Sequence, residues 1–120
     1  MSAVDRFELI EQCSRNYVLA VNDTLNVISG KWKLPIIASL FDGKKRFKEL
    51  EDSIDKISPR MLSKELKELE LNGIVNRQVQ NTTPVLIEYE LTESGHSLKS
   101  VIDAMVQWGL THRHAVINYE

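Results

Sequence analysis

The chain has 120 residues, 42% of them hydrophobic, and a formal net charge of −2. That length allows one domain with a small core, and the apolar run from Val18 to Val21 is far too short to span a bilayer. A single cysteine, Cys13, excludes an internal disulfide framework and a cysteine-rich zinc site.

The opening stretch, MSAVDRFELIEQ, is acidic and has no signal-peptide pattern, so a cytoplasmic protein is expected. Apolar residues then recur at Phe7, Ile10, Tyr17, Val21, Leu25 and Ile28. This spacing predicts a helix, or two with a break near Asn22-Asp23. A second helix is expected over SGKWKLPIIASLFDG, starting near Lys31 because Pro35 is tolerated only in a first turn, and ending by Gly43. RFKELEDSI reads as a third, with Phe47, Leu50 and Ile54 on one face. Ser58 then reads as an N-cap and Pro59 as the first residue of a fourth helix, which Gly73 closes. IVNRQVQ and VLIEYEL are β-type runs separated by NTTP and predict a two-stranded hairpin. Thr92 caps a long closing helix with apolar residues at Leu98, Ile102, Met105 and Val106, extended or bent near Gly109.

Helix, helix, helix–short turn–helix, hairpin, long helix is the order of a winged helix-turn-helix domain with additional helices at both ends. The fold expected is mainly α with a two-stranded β wing. Charge follows that order. Residues 31–80 carry 11 Lys/Arg against 8 Asp/Glu, and the rest of the chain carries 4 against 9. A mildly basic middle between acidic flanks suits a binding segment between supporting ones.

The fourth helix concentrates the signal. At about 100° per residue with Arg60 at zero, Leu62, Leu66 and Leu69 fall at about 200°, 240° and 180°, one apolar stripe. Arg60, Ser63, Lys64 and Lys67 occupy the opposite arc, from about 300° to 40°. Glu65, Glu68 and Glu70 fall to the sides. A cationic, glutamate-free arc over two turns suits a major groove, where phosphates line the rims and guanine acceptors the floor. Ser58 and the nearby backbone N–H groups can add a phosphate contact at the helix N-terminus, Lys31 another at the start of the second helix, and Arg77 one from the wing. The competing reading is a solvated face, with the glutamates and lysines in ordinary exposed ion pairs.

Other constellations point less far. Cys13 is a candidate redox sensor, but reactivity needs a lowered pKa and access, and a lone cysteine on an amphipathic helix is commonly packing. His112 and His114 lie two residues apart, so on a helix their rings point about 200° apart and cannot share an ion; no metal and no cofactor are expected. Trp32 reads as core, and Trp108 as a dimer contact or monomer core. There is no nucleophile–base pair or phosphate loop, so no enzyme is expected.

The sequence from Thr24 to Gly109 resembles the HxlR-type transcriptional regulators, relatives of the MarR-type winged-helix proteins. Gly30-Lys31-Trp32, Asp42-Gly43, Arg46-Phe47, Glu49-Leu50, Ile57-Ser58-Pro59, Met61-Leu62, Leu66, Leu69-Glu70, Gly73-Ile74-Val75 and the return IEYELTESG carry the likeness. The resemblance implies a homodimer on double-stranded operator DNA, with residues 1–28 and 93–117 as dimerisation helices. Residues 30–92 would be the DNA-binding core, with a wing at 74–92. It leaves repression and activation open and admits a small-molecule effector. It also implies, for several members, a sensing cysteine near the position of Val18 or Leu19; Cys13 lies about six residues earlier. Where a basic residue often precedes the Glu88-Tyr89 pair by two positions, this chain has Leu86. The alternative function is a winged-helix module for protein interaction or small-molecule binding without DNA contact.

Overall fold

The structure, a computed structural model, describes residues 14–119; Phe7, Ile10 and Cys13 lie outside them. The elements are α1 (Ser14–Ile28), α2 (Lys33–Ser39), β1 (Lys45–Arg46), α3 (Phe47–Ser53), α4 (Pro59–Leu71), β2 (Val75–Gln80), β3 (Leu86–Leu91) and α5 (Glu93–Tyr119). This is a winged helix-turn-helix with a helix added at each end.

Local chemistry sets each boundary. α1 runs unbroken through Asn22-Asp23, and Thr24 Oγ1 donates back to the carbonyl of Ala20 at 2.8 Å. Asn and Asp lower helix propensity only by tenths of a kcal/mol, too little to break a helix whose apolar spacing continues on both sides. Pro35 is the third residue of α2, in the first turn, where its missing N–H costs nothing. α2 stops at Ser39, before Gly43, where the backbone tightens into i→i+3 bonds from Leu40 to Ile37, Phe41 to Ala38 and Gly43 to Leu40; Lys45 Nζ donates to the Ser39 carbonyl and pairs with Asp42 at 2.6 Å. A cation on a helix's last carbonyls is a favourable end. Ser58 caps α4: its Oγ accepts from the Met61 N–H at 3.1 Å, and Pro59 opens the helix. Gly73, at φ +73°, closes it. The Gly73 N–H bonds Glu70 at 3.0 Å and the Ile74 N–H bonds Leu69 at 2.9 Å, the paired bonds of a left-handed helix end.

One core joins these elements. Ile36 and Ile37 of α2, with Leu40 just after it, meet Leu50 of α3 and Ile54 just after it, Leu62, Leu66 and Leu69 of α4, and Val75 and Leu91 of the wing. Ile57 fills the turn between α3 and α4, where Lys56 takes φ +65°. A left-handed non-glycine residue costs about 1–2 kcal/mol, so packing around Ile57 holds that turn. Phe47 and Trp32 pack against the cluster from its edge.

The sheet has three strands in the order β1-β3-β2, all antiparallel, where a two-stranded hairpin was expected. β1 is two residues long, pairing Lys45 with Tyr89 and Arg46 with Glu88. Two basic residues carry no alternation, so periodicity cannot reveal such a strand.

α5 splits in two. Leu98 and Ile102 pack against the core, whereas Met105, Val106, Trp108, Leu110, Val116 and Ile117 are exposed. The helix has 27 residues, about 40 Å of length, and it outruns the core. It continues through Gly109 without a break.

Candidate nucleic-acid interface

α4 presents two faces, as its wheel requires. Leu62, Leu66 and Leu69 are buried, and Arg60, Ser63, Lys64 and Lys67 are exposed. Their cations are also unpaired. Lys33, Lys44, Lys45, Lys48 and Lys99 all form ion pairs, but among the described residues no carboxylate pairs with Arg60, Lys64, Lys67 or Arg77. A charged surface that has not neutralised itself is available to an external anion.

The wing brings one more cation to this face. Strand side chains alternate, so Arg77 shares a side with Val75, which is buried. Its cross-strand partner is Tyr89. Arg77 lies nearer the wing tip than Val75, beyond the end of the core, and a cleft of about 280 Å³ opens there against α4. Ser63, Leu66, Lys67 and Glu70 line it from the helix, and Arg77 and Tyr89 from the sheet. The wing's acids are kept on the other side. Glu88 and Glu90 stand opposite Gln78 and Asn76 in the register. There Gln78 donates to Glu90, and Lys44 pairs with Glu88 at 3.5 Å. Leu86 sits opposite Gln80 on that same side, away from the cleft.

Three of the seven DNA-contact candidates, Ser63, Lys67 and Arg77, therefore converge on one cleft. Arg60 and Lys64 are exposed on α4 without lining it. Ser58 is exposed at the helix start with its oxygen engaged by the Met61 N–H; its hydroxyl hydrogen is left to donate. Lys31 is exposed before α2, with Nζ 4.7 Å from the centroid of the Trp32 ring. Trp108 is 66% exposed and stacks on His112 with ring centroids 4.7 Å apart; it is not core of this chain. Cys13 lies outside the described residues. Among those residues no group of His, Cys, Asp or Glu could hold a metal, and no helix is long and apolar enough to cross a membrane.

Sequence reading missed one ion-pair network that reaches α4. Lys33 Nζ, on the first residue of α2, reaches Glu65 Oε2 at 2.7 Å and Glu68 Oε2 at 2.6 Å on α4. Glu65 is 9% exposed, not an exposed partner for neighbouring lysines. Burial pulls the Lys33 ammonium down, but hydrogen bonds and charge from both carboxylates outweigh it and hold its pKa above the ordinary lysine value. The same hydrogen bond and charge hold the Glu68 carboxyl below its ordinary value. The one trace in sequence was the angle of Glu65, about 40° from the apolar stripe at Leu69.

Residues 27–116 match the family model described as HxlR-like helix-turn-helix. The HTH-type transcriptional regulator YtcD of Bacillus subtilis is 43% identical over 102 residues, covering 85% of this chain and 81% of YtcD. The structure of the redox regulator HypR in its reduced form superposes with a TM-score of 0.75 at 41% identity, over 82% of this chain and 98% of HypR. The reduced form of the transcriptional regulator YodB from B. subtilis gives 0.69 at 45% identity, over 72% and 85%. Fold, unpaired cationic helix and these likenesses agree: this chain is a winged-helix, DNA-binding transcriptional regulator and belongs to the HxlR-like helix-turn-helix family.

Proposed function

We propose that the protein acts as a homodimer on an inverted-repeat operator, with α4 of each subunit in the major groove. The observation that carries this is the grouping of cations: Arg60, Lys64, Lys67 and Arg77 stand exposed on α4 and the wing without an ion pair, and Lys67 and Arg77 meet at one cleft, beside the carboxylate of Glu70. Arg60 and Lys64, in the first two turns, reach base edges. Ser63, Lys67 and Arg77 grip a phosphate at the cleft, and Ser58 and Lys31 add backbone contacts. Residues 30–92 form the DNA-binding core and the terminal helices the dimer.

Dimerisation is supported by the exposed apolar stripes. Tyr17, Val18, Val21 and Leu25 are exposed on α1, within about 100° of one another. Val101, Met105, Trp108 and Val116 are exposed on α5, within about 80°. Continuous apolar surface of this kind marks an interface. A cytoplasmic protein regulating by repression is the simplest setting.

HypR is described as a redox regulator, and effector control of this chain follows by likeness. A second cleft beside Thr24, Val27, Ile74 and Leu98 measures about 220 Å³, below the usual range for ligand sites of about 300–1,000 Å³, so an effector seated there is small. Selecting bound duplexes from a random pool tests the whole reading. The expected product is an inverted repeat with half-sites about 10 base pairs apart, centre to centre, or a multiple. A pool that yields no enrichment at low salt overturns it.

A further inference from the structure

Lys33 holds a charge that the DNA-facing helix cannot carry openly. Glu65 is the one buried charged residue among those described. A buried carboxylate is tolerated only with a partner, and Lys33 is the cation that meets it. Glu68 is different. Its side chain is 41% exposed, and on the wheel it lies about 40° from Lys64, on the flank of the cationic arc. Unpaired, that carboxylate would face an approaching polyanion. Lys33 itself is not placed to touch DNA: its side chain is 12% exposed and both carboxylates engage its ammonium. Its anchor is firm, because Trp32 and Leu34 on either side pack against the core.

We propose that Lys33 is a positioning residue for DNA recognition, drawing Glu65 and Glu68 against α2 so that α4 enters the groove correctly oriented and without a free flank carboxylate. The proposal rests on the reading of α4 given above. It separates the lysines of this chain into two kinds. Lys64 and Lys67 act on DNA directly, and Lys33 acts through the two glutamates.

The test is duplex binding by fluorescence anisotropy, using the selected operator and a random duplex. Lys33→Met alone strands a buried carboxylate and can fail to fold. The working variant is therefore Lys33→Met with Glu65→Gln, which leaves Glu68 without its ion-pair partner and with only the more distant charge of Lys64. It is expected to fold by circular dichroism and to bind the operator about tenfold more weakly, a coupling within the usual range for contacting groups. The deficit should be largest at low salt and shrink as ionic strength rises, because the screening length falls from about 10 Å at 0.1 M to about 3 Å at 1 M. Adding Glu68→Gln should restore affinity to within about twofold of wild type, and Lys33→Arg should retain it, since a guanidinium can bridge two carboxylates. Wild-type affinity in the double variant overturns the proposal. A deficit that Glu68→Gln does not relieve makes Lys33 a direct DNA contact and also overturns it, as does a deficit indifferent to salt, which marks a packing defect. Arg60→Ala and Lys64→Ala run in parallel. If they bind as wild type, the reading of α4 fails; if they weaken binding while the Lys33 variants do not, this inference alone fails.

Discussion

The carbonyl oxygen of Ile74 occupies the space a side chain would take at Gly95: a Cβ there would lie 2.4 Å from it, and 3.1 Å from a methyl of Leu91. The same carbonyl accepts the Thr92 N–H at 3.0 Å, and Thr92 Oγ1 donates to the Gly73 carbonyl at 2.6 Å and accepts from the Gly95 N–H at 3.1 Å. One short knot thus ties the end of α4, the root of the wing and the start of α5. Gly95→Ala is expected to cost about 1–3 kcal/mol, the range for overpacking a filled site, read as a lower urea midpoint. An unchanged midpoint would mean that the backbone relaxes freely there.

The ion pairs between α2 and α4 predict an acid limb. Glu68, held below its ordinary pKa by Lys33, contributes stability that is fully present above the unfolded value of about 4.3 and lost as pH falls through the lower folded one. Asp42, held low by Lys45, adds to the same limb. Lys33 itself is raised, so its contribution persists up to the ordinary lysine value, about 10.4, and fades only above it. Glu68→Gln should therefore lower the urea midpoint slightly at neutral pH and flatten its fall below about 4.3, the two proteins converging at low pH. An acid limb as steep as wild type would show that the Lys33 pair is not formed in solution.

Assembly should depend on α5 beyond its contact with the core. Met105 and Trp108 lie past Ile102, the last residue of α5 that packs on the core cluster. Replacing both by Asp should leave the melting temperature of the monomer fold intact while weakening the dimer by at least about 2 kcal/mol, as for central interface residues, or about 30-fold in Kd. Light scattering across a dilution series reads this. A variant that stays dimeric throughout removes α5 from the interface.

Cys13 precedes the position that the family resemblance assigns to a sensing cysteine. Cys13→Ser is expected to bind operator DNA as wild type does, and diamide is expected to leave both proteins bound. Release of wild type alone by the oxidant would make Cys13 the sensor.

Much of this architecture was legible because it rests on local rules. Ser58-Pro59 and Gly73 bound α4 through capping geometry that neighbouring residues determine. The leucine stripe and the cationic arc follow from a fixed rotation per residue. What was not legible is set by distant residues. Lys33 and Glu65 are 32 positions apart, and no periodicity joins them. β1 exists because β3 offers it an edge, not because Lys45-Arg46 favours a strand. The cleft that unites Lys67 with Arg77 needs the wing's register, which fixes which strand side faces α4.

The last prediction concerns how the residues of α4 divide their work. Lys67 lines the cleft with Arg77, where a phosphate of the groove rim would sit. Lys67→Ala and Arg77→Ala should weaken binding to operator and random duplex alike, each lowering the salt slope by roughly one unit. Arg60 and Lys64 lie outside the cleft, nearer the N-terminal end that protrudes. Loss of a base contact at either should cost about 1–3 kcal/mol on the operator, relax preference at one base pair, and barely alter random-duplex binding. The contrast between the two duplexes is the decisive measurement, because phosphate contacts carry no sequence information and base contacts little else. Each variant must keep its circular dichroism spectrum and its dimer. Exposed side chains without ion pairs are expected to permit that, since surface substitutions of this kind shift stability by about half a kcal/mol or less. Should Arg60→Ala and Lys64→Ala fold, dimerise and select the same operator with wild-type affinity, the arc is a solvated face and α4 does not read the sequence.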